Sequence, residues 1–178
     1  MPYSINLRSD NDSGDAIRSL WRKCGLLESS PSMPALNYPP HITLAVYDDI
    51  EEHELFGAFD LAIADITQIT SSVERLGYFE APHAIILWAA PMLPTKVHSL
   101  HARVHSLLDT DRCRPNYRPG VWVPHCSLAT SIDLSRKAEA IDIANHSIEP
   151  FKVVFDVADC ASFLPVEVVH EKELPADA

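Results

Sequence analysis

Tyr3, Ile5 and Leu7 alternate with polar neighbours, which predicts a first strand. The period then changes. Ile17, Leu20, Trp21, Cys24 and Leu27 recur at helical spacing and predict a helix over Asp15 to Glu28. The acidic run Asp10 to Asp15 departs from a calcium loop, because its glycine comes one place early and Trp21 stands where the bidentate glutamate belongs. Its acids are expected to cap the helix instead. Ser29 to Pro40 holds four prolines and predicts a loop that feeds a strand over His41 to Val46. Glu51 and Glu52 open a second helix, to about Asp65, at the end where negative charge is favoured. Two β-like runs, Thr67 to Phe79 and Ala84 to Ala90, predict a hairpin around Glu80-Ala81-Pro82-His83. A third helix over Thr95 to Asp109 buries Val97, Leu100, Val104, Leu107 and Leu108. Arg112 to Gly120 reads as a loop, and Trp122 and Val123 lead into a second strand. A fourth helix, Leu134 to His146, is capped by Asp133 or Ser135. Strands over Lys152 to Ala158 and Ser162 to His170, with a loose tail from Leu174, complete the chain.

The two middle strands open alike. One begins Pro40-His41-Ile42-Thr43-Leu44-Ala45 and the other Pro124-His125-Cys126-Ser127-Leu128-Ala129. Successive strand residues point to opposite faces. His41 and Thr43 therefore share one face with Ile42, Leu44 and Val46 behind, and His125 and Ser127 repeat this over Cys126 and Leu128. A helix stands on either side of each copy, as an internal duplication would place it. The expected fold is α+β: two pseudo-symmetric lobes of one domain over residues 1–178, each an antiparallel sheet with outer helices, facing across a central cleft.

The net charge of −11, from 25 acidic and 14 basic residues, opposes a role on long duplex nucleic acid. A pocket for one phosphate remains compatible with it. The four cysteines show no metal or disulfide spacing and read as reduced, mostly buried thiols, with Cys126 a core residue. No stretch approaches the ~20 apolar residues that span a bilayer, and the N-terminus lacks the pattern of a signal peptide. A cytoplasmic monomer without membrane contact is expected.

Two histidines across one cleft suit displacement at phosphorus. One imidazole takes a proton from the nucleophile while the other, protonated, donates to the leaving oxygen. Thr43 and Ser127 would donate to the non-bridging phosphate oxygens. Hydroxyls at those positions are poor zinc ligands, so no metal and no cofactor is expected. Arg112, Arg114 and Arg118 could grip a second phosphate, and Tyr117 or Trp122 could stack on a base; Tyr38 and Tyr47 flank the first motif as further candidate contacts. His98, His101 and His105 share one narrow helix face, read as solvated rather than as a metal site.

These paired P-H-x-[T/S]-L motifs resemble the two-histidine (2H) phosphoesterases, the group of 2′-5′ RNA ligase-like proteins and cyclic phosphodiesterases. The run Trp122 to Leu128 is similar to theirs, as is the hairpin through Leu76-Gly77-Tyr78-Phe79 and Ile85-Ile86-Leu87-Trp88. The resemblance implies catalysis by His41 and His125 and phosphate binding by Thr43 and Ser127. It implies metal-free action on 2′,3′-cyclic phosphates or on 2′-5′ or 3′-5′ linked RNA ends. The partner would be a nucleotide or a short RNA with a terminal or cyclic phosphate. Thr130-Ser131 stand where ligase-like bacterial members carry an arginine, which argues against a large RNA. The other class of reading is a non-catalytic nucleotide- or phospho-ligand-binding module on the same fold.

Overall fold

The computed structural model describes residues 1–9, 12–163 and 165–177. Eight strands are found among them: β1 (Tyr3–Arg8), β2 (His41–Tyr47), β3 (Ile69–Glu80), β4 (Ile85–Met92), β5 (Cys126–Ile132), β6 (Phe151–Phe155), β7 (Val157–Ser162) and β8 (Glu167–Glu173). They form two antiparallel four-stranded sheets, one in the order β2-β1-β7-β8 and the other β5-β4-β3-β6. The helices are α1 (Asp15–Cys24), a single turn α2 (Ser32–Ala35), α3 (Glu52–Ala62), α4 (Thr95–Leu107) and α5 (Lys137–Asn145).

The lobes are not the two halves of the chain. The first sheet takes both ends of the sequence, and the second takes its middle. The crossing occurs at Asp156, between β6 and β7. The expected strands over Lys152 to Ala158 and Ser162 to His170 are replaced here by three. The run from Phe151 to Ser162 is nearly all compatible with extended, part-buried chain, so alternation does not mark where it changes sheets. Inserted between β1 and β8, β7 is buried along its whole length.

The helices cross over as well. α1, which precedes the first motif strand, packs on β5, whereas α4, which precedes the second, packs on β2. α5 covers β3 and β4, and α3 lies on α4 and β7. Apolar spacing explains the contacts: Ile17, Trp21 and Cys24 form the buried stripe of α1, and Val97, Leu100 and Val104 that of α4. Each lobe thus contributes a helix to the other, which joins the sheets through one continuous core.

Local chemistry differs from expectation in two places. α1 starts at Gly14 with no side-chain cap, and Asp15 instead pairs with Arg18 one turn on; Asp10 and Asn11 of the acidic run lie outside the described residues. The proline-rich loop contains α2, whose Ser32 amide donates to Glu28 at 2.8 Å. Ahead of α5, Asp133 caps a 3-10 turn over Leu134–Arg136, accepting from the Ser135 amide at 2.8 Å, and α5 itself starts at Arg136 without a side-chain cap. No helix among the described residues is long and apolar enough to cross a membrane.

Candidate active site

Both motif strands are sheet edges, β2 in one sheet and β5 in the other. Edge strands carry unpaired backbone groups, and here those groups face the opposite lobe. Side chains from that lobe satisfy several of them. Trp122 donates its indole N–H to the Thr43 carbonyl, and Trp21 donates to the Ser127 carbonyl, both at 2.9 Å. Glu28 accepts from the amides of Thr130 (2.9 Å) and Ser131 (2.8 Å) on β5. Burial alone would raise the Glu28 carboxyl, but the bonds from Ser32 and Ser131 outweigh it and hold its pKa below the ordinary value.

The cleft between the edges has two connected parts. A cavity of about 490 Å³ is lined by Asn6, Tyr38, His41, Thr43 and Arg114, among others. One of about 560 Å³ is lined by Phe79, Val121, Val123, His125 and Ser127. Tyr117 and Thr130 belong to both walls. Four residues of the duplicated motifs therefore come to one opening from positions far apart in the chain.

Each histidine is held the same way. His41 Nδ1 lies 2.9 Å from the Pro39 carbonyl, and His125 Nδ1 lies 2.7 Å from the Val123 carbonyl. A carbonyl can only accept, so Nδ1 carries the proton in both rings. The neutral imidazole then keeps a lone pair on Nε2, and the imidazolium a donor there. Burial pushes His41 down to about 4; the Pro39 bond opposes this, and a charge on His125 adds to it. His125 is lowered too, by burial, against its bond to Val123. The rings are thus close enough to sense each other's charge, and burial favours the neutral form of both.

Their surroundings differ. Tyr38 sets its ring edge against His41 at 4.8 Å and donates its hydroxyl to both Asp159 oxygens at 2.7 Å. Phe79 sets its edge against His125 at 5.0 Å, with Trp88 beyond at 6.1 Å. Polar chemistry backs the first ring and aromatic packing the second.

The other candidates divide. Arg114 and Tyr117 face the cleft, although Arg114 also pairs with Asp48 and lies 5.3 Å over the Phe163 ring. Arg112 is tied to Glu54 at 3.0 Å, and Arg118 to the Cys113 carbonyl at 2.8 Å. Neither lines the cleft cavities. Tyr38 lines the cleft beside His41, Trp122 acts from behind Thr43, and Tyr47, 0% exposed, offers a ligand no surface. Cys126 is buried behind His125, where burial pushes its thiol up to about 12. All four cysteines are free and buried.

The helix histidines are not a solvated face. His101 and His105 are buried, and His101 stacks flat on Trp122 at 4.1 Å while its Nε2 meets the Tyr117 carbonyl at 2.8 Å. Only His98 is exposed, so the row belongs mainly to the packing under the cleft. Among the described residues no group of three or more His, Cys, Asp or Glu is placed to hold a metal ion.

Sequence reading passed over Asn6, Trp21, Glu28 and Asp159. One signal was available: Asp159 interrupts the apolar run Val157-Ala158-Asp159-Cys160-Ala161, and a carboxylate in such a run must find buried partners.

Comparison with known proteins bears on the fold and the family. No curated protein matches the chain by sequence. Among solved structures, the Thermus thermophilus protein TT0787 superposes with a TM-score of 0.60 at 14% identity, over 100% of both chains. Escherichia coli LigT complexed with 3′-AMP gives 0.58 at 15%, over 98% of this chain and 99% of that one. Kluyveromyces marxianus Usb1 gives 0.54 at 13%, over 98% and 97%. At these identities the likeness is one of fold. The model of the 2′-5′ RNA ligase superfamily matches residues 12–162, which include both motifs and all of the second sheet, and the chain belongs to that family.

Proposed function

We propose that this protein is a metal-independent phosphodiester hydrolase. It would act on 2′,3′-cyclic phosphates or on 2′-5′ or 3′-5′ linked RNA ends through His41 and His125. The observation that carries this is the matched pair of imidazoles, each pinned through Nδ1–H so that Nε2 remains for proton transfer at a shared cleft. The 3′-AMP and phosphate held by LigT are ligands of the chemical class this cleft would take.

His41, the ring driven down to about 4, is the base. Its Nε2 takes the proton as a water oxygen bonds to phosphorus. His125 gives its Nε2 proton to the ribose oxygen as the P–O bond on the opposite side breaks. A cyclic diester thereby becomes a monoester, and the two rings exchange protonation states. The substrate's own negative charge, lying between them, favours the imidazolium that the empty site disfavours. The motif hydroxyls of Thr43 and Ser127 do the positioning, and this chemistry does not call for a metal.

The test is hydrolysis of 2′,3′-cyclic nucleotides and of short 2′-5′ and 3′-5′ oligonucleotides in the presence of chelator. Wild type should turn over at least one, and His41→Ala and His125→Ala should each lose about 10²-fold or more. Turnover that survives both substitutions rejects the assignment. Binding without any turnover identifies a ligand-binding module instead.

A further inference from the structure

The two motif hydroxyls look equivalent in the sequence, but the hydrogen bonds behind them are not. Register sets Thr43 opposite Asn6, and Asn6 opposite Asp159, so the three form one row across β2, β1 and β7. A bulge after Ile5 creates the first pairing by skipping Leu44. Asp159 is completely buried. Burial holds its pKa above the ordinary value, partly offset by Arg8 Nη1 at 2.8 Å, the Tyr38 hydroxyl and Asn6 Nδ2 at 3.0 Å, which all donate to it, as suits a carboxylate.

This carboxylate decides which way the Asn6 amide faces. Nδ2 must lie toward Asp159, where it also meets Ser4 Oγ at 2.9 Å, so Oδ1 lies toward Thr43. An amide oxygen brings no proton. The 2.9 Å contact from Thr43 Oγ1 to Asn6 Oδ1 therefore uses the only proton Thr43 has. Toward the cleft Thr43 presents lone pairs. A phosphate oxygen would meet them without a proton between, unless Asn6, 1% exposed, lost its partner. Ser127 is different. Its hydroxyl donates to no described residue, and its cross-strand neighbour is Trp88, so its proton is free for the cleft.

We infer that Thr43 is the acceptor that seats the attacking water beside His41, whereas Ser127 is the donor to the phosphoryl oxygen. Asn6 and Asp159 are positioning residues that set the direction of the Thr43 O–H. The assignment rests on the acid–base reading above and divides the cleft into a nucleophile side and a phosphoryl side. A water there donates one proton toward His41 Nε2 and the other to Thr43 Oγ1, two acceptors on one face of β2.

Inorganic phosphate is the probe, titrated into the full chain beside turnover measurements. Ser127→Ala should weaken phosphate binding about tenfold or more, the loss expected for one hydrogen bond to a charged group. Thr43→Val should keep phosphate affinity within about twofold while kcat falls about tenfold or more. Thr43→Ser, which retains the hydroxyl, should restore kcat and keeps the test open if the valine variant does not fold. Asn6→Ala releases the Thr43 proton, so phosphate binding should tighten while kcat falls; a purely structural Asn6 would weaken both. Equal loss of phosphate affinity in Thr43→Val and Ser127→Ala overturns the division, as does weakened binding in a folded Asn6→Ala. Failure of the underlying acid–base reading is seen separately, as turnover that survives His41→Ala and His125→Ala.

Discussion

Trp122 donates its indole N–H to the backbone carbonyl of Thr43 at 2.9 Å, across the boundary between the two lobes. Trp21 repeats the contact in the other direction, on Ser127. The residue two past each histidine is therefore held through its carbonyl by an indole that approaches from the opposite lobe. Each bond ties a segment that is continuous in sequence with one sheet to the edge strand of the other, so together they connect lobe packing to the backbone that carries the motif residues.

Replacing either indole by a phenyl ring keeps most of the apolar area and removes the donor. Trp122→Phe and Trp21→Phe should each lower unfolding free energy by about 1–3 kcal/mol, since a strand carbonyl loses its partner. Turnover should fall more than stability alone explains. Urea unfolding and kcat measured on the same samples check this; unchanged values in both would mean that the indole bonds carry no weight.

Glu28 holds the β5 edge from the loop before α2. Its folded pKa lies below the unfolded value, so its contribution is full above about pH 4.5 and is lost as pH falls through the folded pKa. Glu28→Gln places an amide N–H where donors already converge and should cost about 1–3 kcal/mol near neutrality. The penalty should shrink on acidification. Thermal unfolding from pH 7 down to pH 3 would show the two curves converging.

His41 should titrate near 4 in the free protein, well below the usual 6.5. Because the folded pKa is lowered, its contribution to stability is full above about 6.5 and declines as pH drops toward 4. NMR of the ring carbon protons gives the midpoint. Saturating phosphate should move it upward, because an anion in the cleft favours the charged ring. A midpoint at 6.5 in the empty site would contradict the environment described.

Gly77 pairs across the hairpin with Trp88, and a Cβ there would lie 2.4 Å from the indole ring. Gly77→Ala must displace Trp88, whose ring neighbours Phe79 and His125. A loss of about 1–3 kcal/mol is expected, the usual cost of overpacking. A shift of the His125 resonance should accompany it.

Much of this molecule was legible in its residues. Period-2 and helical spacing located β1, the hairpin and the four longer helices, because in each the apolar residues recur along one face. The repeated P-H-x-[T/S]-L-A established both motif strands and the face that each histidine shares with its hydroxyl. It missed the extra strand near the C-terminus, since β7 is buried throughout and carries no alternation. It also treated Arg112 and Arg118 as available cations, whereas each finds a partner remote from the cleft cavities.

The sequence by itself determined which side chains the two motif strands bring forward together, because strand periodicity puts an imidazole and a hydroxyl on one face of each. Only the tertiary structure decided how the two copies differ. Hydrogen-bond direction depends on which groups meet across strands distant in the chain: Thr43 meets Asn6 and through it Asp159, while Ser127 meets Trp88. Spacing along one strand carries no record of those meetings. A bulge of one residue and the crossing of the chain at Asp156 bring them about, and with them the inequality of two motifs that read alike.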